Sequence, residues 1–337
     1  MNNFREIINQ YDRILIQMHN MPDADTCSSA IAMEYMINIL NPSAKTTIVY
    51  HNNMNLSLDL EQMLETNGTR AIKIETSDLD IFYKRHKVDK NKDLLIYVDC
   101  QENGGNVYPL HFKNIIAFDH HVDLNGTNYL YKDITPLGSC SILIYRYMLD
   151  YKIDLEDTYI REAIYYGLMI DLDDFVKEMD FETNRLRKLL EAQNIDRLYI
   201  TTLNSVKFPK NKIRDLSSLI DNSIIDERLF FSIVHDSDDN LIGTLADLLL
   251  KFKDVDVVVI CNERPTTVKF SIRSRIPSIE AISITNLFTN TGGQKIVGGV
   301  TIGGCTVDKK TMTVKYEEQL KLAIYNEVQR FIDRERK

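Results

Sequence analysis

Arg13-Ile14-Leu15-Ile16-Gln17-Met18-His19-Asn20-Met21-Pro22-Asp23-Ala24-Asp25 begins as a buried strand and ends in a turn rich in imidazole and carboxylate. The first six residues form an apolar run of strand length, as expected for a strand covered on both faces. A helix, apolar on most faces, is predicted from Ser28 to Leu40. The same rhythm continues outward. Thr46 to Tyr50 reads as a strand, Leu56 to Glu65 as a helix and Ala71 to Ile74 as a strand. Asp93 to Val98 and Asn114 to Phe118 are further strands, each followed at once by an acidic residue. Alternation of this kind predicts an α/β fold, a mostly parallel sheet with helices on both faces. Helices are then predicted over Cys140 to Asp150, Thr158 to Ile170 and Glu182 to Glu191.

A polar, basic stretch, Phe208-Pro209-Lys210-Asn211-Lys212, interrupts the pattern. It places a partly helical linker at 196–215, between a first domain at 1–195 and a second at 216–337. In the second, Leu229 to Val234, Val255 to Cys261 and Thr267 to Arg273 read as strands. Leu241 to Phe252, Ile279 to Phe288 and Glu317 to Arg336 read as helices, giving a smaller α/β unit.

Composition narrows the class. A chain of 337 residues is too long for one ordinary core, and 44% hydrophobic content is normal for a globular protein. The net charge of −9 argues against a protein that coats long duplex nucleic acid. Five cysteines, none in CxxC spacing, argue against a disulfide framework and for a reducing compartment. The first residues lack the layout of a signal peptide, and no apolar run is long enough to span a bilayer. The expectation is a soluble, cytoplasmic protein, and a homodimer is compatible with it.

Four segments carry metal-ligand residue types at the end of a strand or helix: His19 to Asp25, Val98-Asp99, Asp119-His120-His121, and Gly167 to Asp171. In an open α/β sheet, ligands bind at the carboxyl ends of the strands, so three of the four converge on one edge. Oxygen and imidazole donors suit Mn, Mg, Co or Zn, with carboxylates favouring the harder ions. Taken singly, each segment also has a plainer reading. His19 to Asp25 could be a polar turn capping the next helix through Asp25 or Thr26. Asp171-Leu172-Asp173-Asp174 could be a solvated acidic cluster, and Asp173 rivals Asp171 as the ligand.

Together, the four segments resemble the sequential motifs of the DHH phosphoesterase superfamily. The resemblance implies two divalent ions, Mn²⁺ first, with Mg²⁺ or Co²⁺ as alternatives. It implies that His19 and Asp23 hold one ion, that Asp25, His120 and Asp171 hold the other, and that Asp99 bridges them. His121 would face the substrate phosphate, with Asp119 orienting the histidine pair. The second half resembles the DHH-associated substrate-binding domain in Gly292-Gly293-Gln294-Lys295-Ile296-Val297-Gly298-Gly299, where Gln294 stands in the usual histidine position. Arg273, in Ser271-Ile272-Arg273-Ser274-Arg275, resembles the arginine that grips a phosphate. The plainer reading of the glycines from Gly292 to Gly304 is turns between strands, but Arg273 and Lys295 supply nearby cations in sequence and favour an anion site.

The resemblance implies hydrolysis of a phosphodiester or phosphomonoester in a short oligonucleotide or small nucleotide. A cleft between the two domains would close on it. A polyphosphate or pyrophosphate phosphatase is the neighbouring option, and a non-catalytic nucleotide-binding module the option outside enzymology.

Overall fold

A computed structural model describes residues 2–51, 56–74, 79–124, 126–156, 158–205, 210–276, 279, 284, 293–297, 300–312 and 317–336. The chain divides into two compact units, Met1–Val206 and Lys207–Lys337.

The first unit is a six-stranded sheet with every strand parallel. Its strands are β1 (Arg13–Gln17), β2 (Lys45–His51), β3 (Ala71–Ile74), β4 (Leu94–Val98), β5 (Asn114–Asp119) and β6 (Tyr131–Ile134), in the order β3-β2-β1-β4-β5-β6. The order reverses between β1 and β4, and in such sheets the crevice at that reversal is where ligands bind. Alternate residues feed two cores. Ile14, Ile16, Leu94, Ile96, Val98, Ile116 and Phe118 face one; Leu15, Leu95, Tyr97, Ile115 and Ala117 face the other. With both faces covered, strands must be apolar throughout, which is why β1, β4 and β5 are so plain in the sequence.

The first core is roofed by α2 (Ala24–Leu40), α5 (Cys140–Asp150) and α6 (Ile160–Asp171), with α1 (Asn2–Ile8), α3 (Leu58–Thr66), α7 (Phe181–Glu191) and α8 (Arg197–Asn204) around them. The second is covered by α4 (Leu79–His86) and by Val107, Leu110 and Phe112 of the segment before β5. α2 is buried on nearly every side, from Ala24 to Met33 without a break. That matches its apolar composition, since a helix hydrophobic all round belongs in an interior.

The second unit is a mixed sheet: β7 (Ser223–Asp226), β8 (Leu229–His235), β9 (Val257–Glu263), β10 (Thr267–Ser274), β11 (Gly293–Val297) and β12 (Val300–Asp308), in the order β11-β12-β10-β9-β8-β7. Among the described residues of this unit, only β8 and β9 run parallel. α9 (Ile213–Asp221) and α10 (Asp239–Leu249) supply Leu219, Leu241, Ile242 and Leu245 to one face, against Phe230, Val258 and Ile260. α11 (Glu317–Glu335) supplies Leu320, Ile324, Val328 and Ile332 to the other, against Phe231, Val259, Phe270 and Ile272. Among the described residues, no helix is long and apolar enough to cross a membrane.

The sequence under-reads several elements. β6 is four residues long and nowhere fully buried, so it lacks an apolar run. The 196–215 stretch contains α8, whose Ile200 and Leu203 enter the first core. Gly303 and Gly304 are strand residues paired to Ile272 and Ser271, not turns. Of the helix predicted at Ile279 to Phe288, only Ile279 and Ile284 are among the described residues.

Candidate metal centre

The turn after β1 is fixed by its backbone. Met18 N donates to Val49 O at 3.0 Å, ending the pairing with β2. Asp23 is extended (φ −112°, ψ −172°), and its Oδ1 accepts from Thr26 N at 3.0 Å. The residue that caps α2 is therefore Asp23, and neither Asp25 nor Thr26 plays that part. Asp25 sits in the first turn and points inward, 2% exposed. Its Oδ2 accepts from Cys140 N at 2.7 Å and its Oδ1 from Ser141 N at 2.9 Å. These amides open α5, a terminus where backbone N–H groups favour an anion.

β4 delivers Asp99 in an unusual conformation. The residue takes a left-handed backbone, φ 57°, as its N–H reaches across to Phe118 O at 2.9 Å. A non-glycine residue in that region carries a local cost, and such outliers gather at functional sites. The twist points the carboxylate at two histidines. Oδ2 lies 3.5 Å from His19 Nε2, and Oδ1 lies 3.3 Å from His120 Nε2. Oδ1 is buried and has no hydrogen-bond partner among the described residues.

β5 ends in Asp119, which gathers the loop beyond it. Asp119 Oδ1 accepts from His120 N at 2.8 Å and faces His121 Nδ1 at 2.8 Å. His120 Nδ1 faces Leu137 O at 3.0 Å. A carbonyl only accepts, so Nδ1 carries the hydrogen and Nε2 turns to the carboxylates. Asp171 completes the group: its Oδ2 lies 3.3 Å from His120 Nε2. Asp173 joins no such group among the described residues.

Asp171 owes its place to Gly167, one turn earlier on the same helix face. A Cβ at Gly167 would collide with Ser28 Oγ and stand 3.1 Å from Ala24 O and 3.0 Å from Ser141 Oγ. The glycine lets α6 lie directly on α2. Gly167→Ala should therefore cost about 1–3 kcal/mol, the range for overpacking a close contact. It should also push Asp171 away from His120. Calorimetry and metal-binding titration check this, and wild-type values in both would show that the crossing has slack.

The donors fall into three groups: His19, Asp23 and Asp99; Asp25, His120 and Asp171; and Asp99, His120 and His121. Without a cation their charges conflict. Burial raises the Asp25 carboxyl and Asp99 and Asp171 raise it further, while His120 opposes them. Burial pulls His19 down, but Asp23 and Asp99 outweigh it and the ring is pushed up to about 10. His120 likewise loses to burial yet is carried up to about 10 by Asp99, Asp25 and Asp171. The spacing fits ions. His120 Nε2 stands 3.7 Å from Asp25 Oδ2, and His19 Nε2 stands 3.7 Å from Asp23 Oδ1. Such gaps are long for hydrogen bonds, which run about 2.7–3.2 Å. They are close to the separation of two donors that each lie roughly 2.0–2.2 Å from one ion. The orphaned Asp99 Oδ1 and the carboxylate-imidazole donor set fit divalent cations of the harder kind.

Comparison with known proteins agrees with this chemistry. A family model described as the DHH family, N-terminal domain, matches residues 13–170, from the start of β1 almost to the end of α6. That stretch is similar to the N-terminal domain of the DHH family. An exopolyphosphatase-related protein from Bacteroides fragilis has the same fold over both units: TM-score 0.72, 16% identity, covering 100% of this chain and 97% of that one. A putative family II inorganic pyrophosphatase from Methanococcus jannaschii aligns at TM-score 0.44 and 15% identity, over 93% and 99% of the two chains. A pGpG-specific phosphodiesterase from Vibrio cholerae aligns at 0.38 and 11%, over 94% and 99%. The last two scores are too low to carry an argument. The curated proteins contain no match to the sequence.

Outside the matched stretch the expected substrate residues are more dispersed. Arg273 donates to Asp247 of α10 and, through Nη1, to Ile272 O at 3.1 Å, so its guanidinium already has a carboxylate partner. Lys295 pairs with Ile302 in the register row of Arg273, and Gln294 pairs with Gly303 in the row of Ile272. Gly293 opens β11, while Gly292, Gly298 and Gly299 lie outside the described residues. Cys27 and Cys100 are buried beside the centre. Burial raises both thiols, which suits small apolar filler better than ligation.

Proposed function

We propose that this chain is a DHH-type phosphoesterase that hydrolyses a phosphoester bond in a short oligonucleotide or small nucleotide, using two divalent ions. His19 and Asp23 would hold one ion, Asp25, His120 and Asp171 would hold the other, and Asp99 would be shared. One observation carries the reading: the two oxygens of Asp99 face different histidines, 3.5 Å and 3.3 Å away, each within its own donor group. A carboxylate split in this way could serve two divalent ions at once. Bound there, the ions would acidify a water and neutralise charge on the phosphate.

The remaining work falls to the chain. His121 is 59% exposed, and with Nδ1 held by Asp119 its Nε2 is turned outward. The Asp119 hydrogen bond raises its pKa, with burial opposing, so the charged ring is favoured as a donor to the phosphate. Asp119 itself is kept ionised: burial would raise it, but His121 and Gln101 hold it below the usual carboxylate range. In the second unit, Arg273, Gly292, Gly293, Gln294, Gly298 and Gly299 are assigned to the substrate. Arg273 would have to exchange or share its Asp247 partner to take a phosphate.

The test is a panel of dinucleotides, cyclic dinucleotides, nucleoside phosphates, pyrophosphate and polyphosphate, with Mn²⁺ or Mg²⁺. Turnover of a dinucleotide or small nucleotide that disappears with chelator is expected. Turnover confined to pyrophosphate or polyphosphate would move the substrate class. No turnover with metal bound would make the chain a binding module.

A further inference from the structure

His121 and Asp119 are held from behind by a side chain that no motif marks. We propose that Gln101 is a positioning residue that sets the Asp119–His121 pair against the substrate phosphate, an inference that rests on the phosphoesterase reading. Gln101 lies two residues beyond Asp99, in the turn after β4, and is 2% exposed. Its amide nitrogen donates to Asp119 Oδ2 at 2.6 Å and to Val122 O at 3.0 Å, and its Oε1 accepts from Leu124 N at 2.8 Å. One buried amide thus ties the second oxygen of Asp119 to the chain just past the histidines.

The division of labour within Asp119 gives the contact its purpose. Oδ1 serves His120 N, His121 N and His121 Nδ1, whereas Oδ2 has Gln101. Release Oδ2, and the carboxylate can turn about its last torsion, carrying Oδ1 away from the imidazole. The carboxylate is 3% exposed and the His121 ring 59%, so an exposed ring donates its hydrogen bond to a buried anchor. The charge on the anchor matters as well. Glutamine donates without bringing a cation, so the whole negative charge of Asp119 stays available to His121. A simple loop staple would need only Val122 and Leu124; the shortest of the three bonds goes to Asp119.

Gln101→Met nearly keeps size but neither donates nor accepts. Gln101→Glu keeps the acceptor for Leu124 and sets a second carboxylate against Asp119, and it serves if the methionine variant does not fold. Loss of an outer partner commonly costs about 10–100-fold in activity, so kcat should fall by that order while KM moves less than about twofold. Bound Mn²⁺ should stay near wild type, and the melting temperature should fall, because the buried Asp119 Oδ2 loses its donor. Combined with His121→Ala, either substitution should lower kcat no further, because the residue it acts through is gone. Equal fractional losses in both backgrounds, or no loss in either, overturn the proposal. A second readout needs no turnover: the downfield proton resonance of His121 Nδ1–H, assigned by its disappearance in His121→Ala. It should shift or vanish in Gln101→Met, and an unchanged resonance overturns the positioning role whatever the activity. If the parent hydrolyses nothing yet the resonance responds, the functional reading fails and the positioning of the pair stands.

Discussion

Asp99→Asn is expected to lower turnover by roughly three to four orders of magnitude, the scale seen when a group acting as a unit loses a member. Asparagine keeps the shape of the side chain and removes the charge that two ions would share. It is also one of the few residues that tolerates a left-handed backbone, so φ 57° at this position is not a reason for the variant to misfold. The buried Oδ1, which has no hydrogen-bond partner among the described residues, needs no new donor once it is an amide oxygen. The melting temperature in chelator should therefore match wild type. Kinetics at saturating Mn²⁺ and metal counting by mass spectrometry check the outcome. Turnover within tenfold of wild type would reject a shared role for Asp99.

The second large effect concerns Asp25, and its sign depends on metal. In the metal-free protein this carboxylate is buried beside Asp99 and Asp171, which repel it, while the amides of Cys140 and Ser141 attract it. Asp25→Asn relieves the repulsion and keeps one acceptor oxygen, so stability in chelator should change little. With metal the balance reverses, because the charge is then an asset. A ligand at a hundred times its dissociation constant stabilises a fold by about 2.7 kcal/mol. Wild type should thus gain several degrees in melting temperature on adding Mn²⁺, and Asp25→Asn should lose most of that gain along with turnover. Scanning calorimetry in chelator and in Mn²⁺ measures both, and an undiminished metal-induced shift in the variant would contradict the assignment of Asp25.

The donor groups were legible in the sequence because a parallel sheet is covered on both faces. Its strands must be continuous apolar runs, and the residues just past the end of each run land on one edge. His19, Asp99 and Asp119-His120-His121 could be placed together by that rule alone. Asp171 could not, since it sits on a helix, and Asp173 two residues on stayed a rival although the Gly167–Ile170 pattern favoured Asp171. The choice between them is made by Gly167, whose missing side chain is informative only once Ser28 is seen against it. Gln101 left no signal either, because a glutamine after a strand is unremarkable until Asp119 is found 2.6 Å from its amide. In the second unit, Gly293, Gly303 and Gly304 lie in paired strands, where glycine is rare, so the pairing of β11 with β12 was not legible.

The hold of α5 on Asp25 has a consequence for the order of biosynthesis. The carboxylate and the amides that grip it are separated by 115 residues. At roughly 5–20 residues per second, a ribosome needs about 6–23 s to make the second partner after the first. For that interval His19, Asp23 and Asp25 belong to a nascent chain without the helix terminus that orients Asp25 and without the aspartate at the end of α6. The group of Asp25, His120 and Asp171 is therefore complete only after α6 has been made.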